Sequence, residues 1–102
     1  MHQPERRRSR RFALRQPVYV RELGSSAIMP GMTQNVSKDG LLLHTDFSLP
    51  IGSKVELVLL LESRLEKSIR LSGKCAVVRT DPLPSSGFAI ALSSERPFAM
   101  MD

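Results

Sequence analysis

Hydrophobic and polar positions alternate at period two along several short stretches of the chain. The clearest places Val55, Leu57, Leu59 and Leu61 on one face, with Glu56 and Glu62 on the other. This is the pattern of a strand with one buried face. A second stretch runs from Ile69 to Arg79, with Ile69, Leu71, Cys75 and Val77 on one side and Arg70, Ser72, Lys74 and Thr80 on the other. Gly73 inside it is a candidate bulge. Four shorter runs read the same way: Val18–Leu23, opened by Pro17; Met32–Val36, limited by Pro30 and Gly31; Leu41–Thr45; and Phe88–Leu92, with Phe88, Ile90 and Leu92 inward.

Turn residues separate these runs. Gly24-Ser25-Ser26, Leu49-Pro50-Ile51-Gly52 and Asp81–Gly87 are loops, and Glu62–Lys67 is a polar connection. Ser37-Lys38-Asp39-Gly40 is the strongest turn signal, since Asp-Gly supplies a positive φ at low cost. It joins two strands into a hairpin. After the last strand, Ser93 and Ser94 are placed to cap a short helix from Glu95 to Met101, held by packing of Phe98 and Met101. Six short strands with frequent turns predict an all-β fold, a small six-stranded antiparallel β-barrel whose closure removes its edges.

Composition fits this picture: 102 residues with 41% hydrophobic and 25% charged content make one domain with a modest core. It divides into a flexible Arg-rich N-terminal arm at 1–15, the barrel at 17–92 and the C-terminal helix or tail at 93–102. The single cysteine excludes an internal disulfide and fits a reducing compartment. No apolar run spans a membrane, and no apolar stretch follows the basic N-terminus as in a signal peptide. The expected location is the cytoplasm.

Charge changes the picture most. Six of the fifteen Lys and Arg residues lie in residues 1–15, all of them Arg, beside one of the ten acids. The rest of the chain then holds nine bases and nine acids, so the net +5 belongs entirely to the arm. Guanidinium groups fork onto phosphate oxygens and onto the O6/N7 edge of guanine, and stack on flat rings. Phe12 and Leu14 are placed to tether the arm's end to the body.

Two motifs then stand in order: Arg7-x-x-x-Arg11 in the arm, and Asn35-x-Ser37-x-x-Gly40 at the hairpin turn. On these the sequence resembles the PilZ domain family, bacterial receptors for the second messenger cyclic di-GMP. Arg11-Phe12, the Leu49-Pro50-Ile51-Gly52 turn and Gly87-Phe88-Ala89-Ile90 extend the resemblance over nearly the whole chain. The resemblance implies that the arm wraps over the ligand and clamps it against the barrel. Arg7 and Arg11 would contact phosphate or guanine, with Arg8 the next candidate in the run. The Asn35 amide and Ser37 hydroxyl would meet a guanine edge, and Gly40 would allow close approach to the backbone.

The other reactive side chains read as structural. Cys75 is a small buried hydrophobe and His44 a half-buried strand residue. His2, His44 and Cys75 are too dispersed for a metal site, and Ser37 lacks the base a nucleophile needs. No catalytic residue, metal or cofactor is expected, and the protein is not expected to be an enzyme. The leading function is a cyclic di-GMP receptor that signals by ordering its arm to a downstream protein partner, as a monomer or a homodimer. The alternatives are a protein-interaction module and a nonspecific polyanion or nucleic-acid binder using the Arg run. Low aromatic content argues against a single-strand stacking platform.

Overall fold

A computed structural model describes residues 12–62, 68–94, 96 and 99–101. Alternation of apolar residues becomes eight antiparallel strands: β1 (Phe12–Ala13), β2 (Pro17–Glu22), β3 (Met29–Ser37), β4 (Gly40–Thr45), β5 (Lys54–Glu62), β6 (Ser68–Pro82), β7 (Phe88–Ser94) and β8 (Ala99–Met101). The order β3-β2-β5-β6-β7-β4 closes when β4 pairs back to β3. These six strands are the barrel the sequence predicts. The two short ones are additions, β1 on β3 and β8 on β6.

The inward residues form one core. Val18 and Val20 come from β2, Leu41 and Leu43 from β4, Val55, Leu57 and Leu59 from β5, Cys75 and Val77 from β6, and Ile90 and Leu92 from β7. Each aliphatic side chain buried this way contributes about 1.5–3 kcal/mol. Phe88 is half-buried and packs against this core, as does Leu14 ahead of β2. Gly52, with φ of 93°, makes the turn into β5, and the Ser53 N–H donates to the Pro50 carbonyl at 3.1 Å.

Several boundaries differ from expectation, each for a local reason. β3 begins at Met29 and contains both Pro30 and Gly31. Over Met29–Gly31 it pairs with β2 alone, because pairing with β4 starts at Met32. A residue without an N–H fits such a position. The Pro30 carbonyl accepts from the Thr45 hydroxyl at 2.8 Å. Gly73 is no bulge, since it sits in unbroken register with Leu57. The shift in β6 falls between Val77 and Arg79, leaving Val78 exposed. It moves Thr80 opposite buried Ile90, so Thr80 leaves the outer face and donates to the Leu49 carbonyl at 2.8 Å.

At the C-terminal end, Ser93 and Ser94 continue β7 instead of capping a helix. The helix expected over Glu95–Met101 does not form at its described end. Ala99–Met101 is extended and pairs with Ser72, Leu71 and Arg70 of β6. A strand here satisfies backbone groups of β6 that β7, pairing only from Cys75 onward, leaves open. Glu95, Pro97 and Phe98 lie outside the described residues, as do the arm at 1–11 and the connection at 63–67.

Candidate ligand site at the β3–β4 turn

The site residues that the structure describes are Asn35, Ser37 and Gly40. Arg7, Arg8 and Arg11 lie outside the described residues. A bulge in β3 aims the first two. Register shifts between Thr33 and Asn35, so Gln34 is the extra residue. Before it, Thr33 faces the core opposite Leu43, and both are buried. After it, Val36 faces inward opposite Leu41, while Asn35 stands opposite half-buried Leu42. Strict alternation would have put Asn35 and Ser37 on the same side as Thr33, in the core. The bulge turns both outward. This is the feature that sequence reading missed; polar Thr33 and Gln34 ahead of Asn35 are its only trace in the sequence.

Asn35 and Ser37 therefore share one face of β3, two residues apart. Alanine, glycine and serine make up most of their neighbours, with Leu42 and Arg79 the larger side chains. Asn35 lies between Ala13 of β1 and Leu42 of β4, and the row continues to Ala91 and Arg79. Ser37 stands opposite Gly40, whose row continues to Ser93 and Ala76. The Asn35 amide is half-buried and takes no hydrogen bond from any described residue. Arg79 is held by Asp81 at 2.9 Å, on the exposed edge of the row.

The turn is tight: Lys38 and Asp39 alone separate Ser37 from its partner Gly40. The Ser37 hydroxyl accepts from the Asp39 N–H at 3.2 Å and donates to the Gly40 carbonyl at 3.4 Å. The Asp39 carbonyl accepts from the Ser94 N–H at 2.7 Å, tying the turn to β7. Serine here has a structural reason of its own, as a clamp on the turn.

Gly40 corrects one expectation. It is not among the glycines with positive φ; it is the first residue of β4. Its lack of a side chain answers to the barrel. A Cβ there would stand 2.2 Å from the Leu92 carbonyl oxygen. Close approach of β4 to β7 fixes glycine at this position whether or not a ligand also comes near.

Phe12 pairs with Val36 and Ala13 with Asn35. The chain thus enters the described structure directly beside the turn, and Leu14 packs against the core as expected of a tether. His44 is half-buried on β4, between Met32 and Ala89. Cys75 is buried on β6, and burial raises its thiol pKa from 9.0 to about 11, slightly offset by a hydrogen bond with Ser94. Among the described residues no cluster of three or more His, Cys, Asp or Glu side chains is placed to hold a metal. Among the described residues no helix is long and apolar enough to cross a membrane. Two grooves, one beside Tyr19, Ile28 and Val58 and one beside Met32, His44 and Ser86, lie elsewhere and include none of the predicted site residues.

Comparison with known structures agrees with this architecture. The Bacillus subtilis inhibitor of motility MotI/DgrA superposes with a TM-score of 0.79 at 18% identity, over 92% of this chain and 44% of that one. The chain thus spans less than half the length of that protein. The PilZ domain of CeSA from a cellulose-synthesizing bacterium superposes with a TM-score of 0.57 at 21% identity, over 81% and 80% of the two chains. At such identities these likenesses show the fold. No curated protein matches the sequence. The family model for the PilZ domain matches residues 5–96, from the arm through the last barrel strand, and the chain therefore belongs to the PilZ domain family.

Proposed function

We propose that the protein is a non-enzymatic receptor for cyclic di-GMP, the ligand generally bound by PilZ domains. Arg7 and Arg11, with Arg8 beside them, grip the phosphates and a guanine edge from the arm. Asn35 and Ser37 meet the ligand from the outer face of β3. The observation that carries this reading is the bulge at Gln34, which turns Asn35 and Ser37 out of the core. It leaves the Asn35 amide without a hydrogen-bond partner among the described residues, directly beside the point where the arm joins the barrel. An amide offers both a donor and an acceptor to a guanine edge.

The arm carries the chain's entire net charge, and two ligand phosphates relieve repulsion among its arginines. Ordering of the arm on binding then gives a signal that a partner protein can read. The two solved neighbours come from an inhibitor of motility and from CeSA of a cellulose-synthesizing bacterium. For this chain, output through a second protein is the form of signalling proposed.

Titration calorimetry with cyclic di-GMP tests the reading. Wild type is expected to bind at micromolar concentration or tighter, and to ignore GTP. Arg7→Ala, Arg11→Ala and Asn35→Ala are each expected to weaken binding by about tenfold or more, since each removes charged or paired hydrogen bonds. Binding of GTP and nucleic acid alike, with steep loss in salt, would instead identify a polyanion binder.

A further inference from the structure

We infer that Thr33 is a positioning residue, which holds the root of the arm in register with Asn35 and so sets the affinity of the site. This rests on the ligand reading given above, but the anchoring itself has an independent readout.

β1 and β2 lie along the same edge of β3, and the chain between them breaks from the ladder. Ala13 pairs with Asn35 and Pro17 with Met32, so Leu14, Arg15 and Gln16 face only Thr33 and Gln34. Three residues against two cannot keep regular pairing, and the backbone groups at the break need other partners. Thr33 supplies them. Its hydroxyl accepts from the Gln16 N–H at 2.9 Å and donates to the Leu14 carbonyl. Its own N–H donates to the Gln16 carbonyl at 2.9 Å, and the Leu14 N–H donates to the Gln34 carbonyl at 3.2 Å.

Thr33 is 0% exposed, among valines and leucines. Valine would fill the same volume on a strand, so packing alone does not ask for threonine. What valine lacks is a group that can serve an N–H and a carbonyl at once. β1 is only two residues long and cannot hold register by itself. The Thr33 hydroxyl is thus the fixed point from which Ala13 and Phe12 are set opposite Asn35 and Val36. The direction in which the chain leaves toward Arg11 follows from that register.

The test compares Thr33→Val with Thr33→Ser by amide hydrogen exchange and by cyclic di-GMP titration. In the valine variant, exchange at Leu14 and Gln16, whose N–H groups donate to the Gln34 carbonyl and the Thr33 hydroxyl, is expected to rise by about tenfold relative to Val18 and Val20, as local opening loses a hydrogen bond. Affinity for cyclic di-GMP is expected to fall by about tenfold, the equivalent of one such bond. The serine variant restores both. If valine prevents folding, Thr33→Cys, which has the shape of serine with a larger atom and a far weaker donor, is compared with Thr33→Ser in the same way. A purely structural role would lower thermal stability and leave the affinity of the folded protein unchanged, which overturns the inference. Unchanged exchange at Leu14 and Gln16 overturns it too. If wild type itself binds no cyclic di-GMP, the function reading fails and takes the affinity claim with it, while the exchange pattern still decides whether Thr33 anchors the arm.

Discussion

Gly40 shows how one residue can serve two arguments. In the sequence it closes a motif associated with ligand approach. In the structure its absent side chain makes room for the carbonyl oxygen of Leu92. That oxygen belongs to a paired strand and cannot swing aside as a side chain would. Gly40→Ala is therefore expected to destabilise the barrel by about 1–3 kcal/mol, as overpacking does, read as a lower urea midpoint at unchanged slope. A fully stable variant would contradict the close packing of β4 on β7. Cys75 makes a second residue-level test. Burial raises its pKa from 9.0 to about 11. The folded state then holds the proton more tightly than the unfolded chain, so this contribution to stability is complete below pH 9 and is lost as pH rises toward 11. A thiol reagent at pH 8 is expected to label Cys75 only as fast as the protein opens, with labelling accelerated by urea. Rapid labelling of the native protein would show that β6 is looser than its burial implies.

Among the elements, β5 and β3 sit at opposite ends of legibility. β5 alternates without interruption from Val55, and its partners on both sides keep regular register, so period two alone identifies its inward face. β3 breaks three sequence rules within nine residues. It contains Pro30, where only β2 pairs with it; Gly31, where a Cβ would meet the Leu43 side chain at 2.9 Å; and the bulge at Gln34. Each exception is settled by a neighbouring strand, and no local propensity announces it. The bulge in β6 at Val78 and the short strand β8 escape sequence reading for the same reason. The hairpin turn was legible in place and extent, with Lys38-Asp39 at its centre, but the positive φ expected of Gly40 was not observed, because Gly40 is the first residue of a paired strand. Ser37→Ala separates the two roles of that turn. Losing the clamp on the Asp39 N–H is expected to cost about 1 kcal/mol of stability. If the hydroxyl also meets the ligand, affinity falls in the still-folded variant; if it serves the turn alone, calorimetry finds wild-type affinity.

For the whole molecule, closure of the sheet is what gives the site a rigid wall. The six barrel strands close on one another through the β3–β4 pairing, and the outward rows through Asn35 and Ser37 run across β4 to β7, from Ala13 past Leu42 to Ala91 and from Gly40 to Ser93. The basic arm joins at one rim of that surface, through β1. A neutral barrel with a +5 arm separates the two tasks proposed here, recognition by a fixed face and attraction by a charged segment. The central claim is that the face turned outward by the Gln34 bulge is where cyclic di-GMP binds. The direct measurement is a nitrogen–proton correlation spectrum of the labelled protein during titration with cyclic di-GMP. The account expects the largest shifts at Asn35, Val36, Ser37 and Gly40 and across the strand pair at Ala13 and Leu42, with the far wall of the barrel at Val20, Arg21 and Glu56 unmoved. Shifts concentrated on that far wall, or none at saturating ligand, would contradict it.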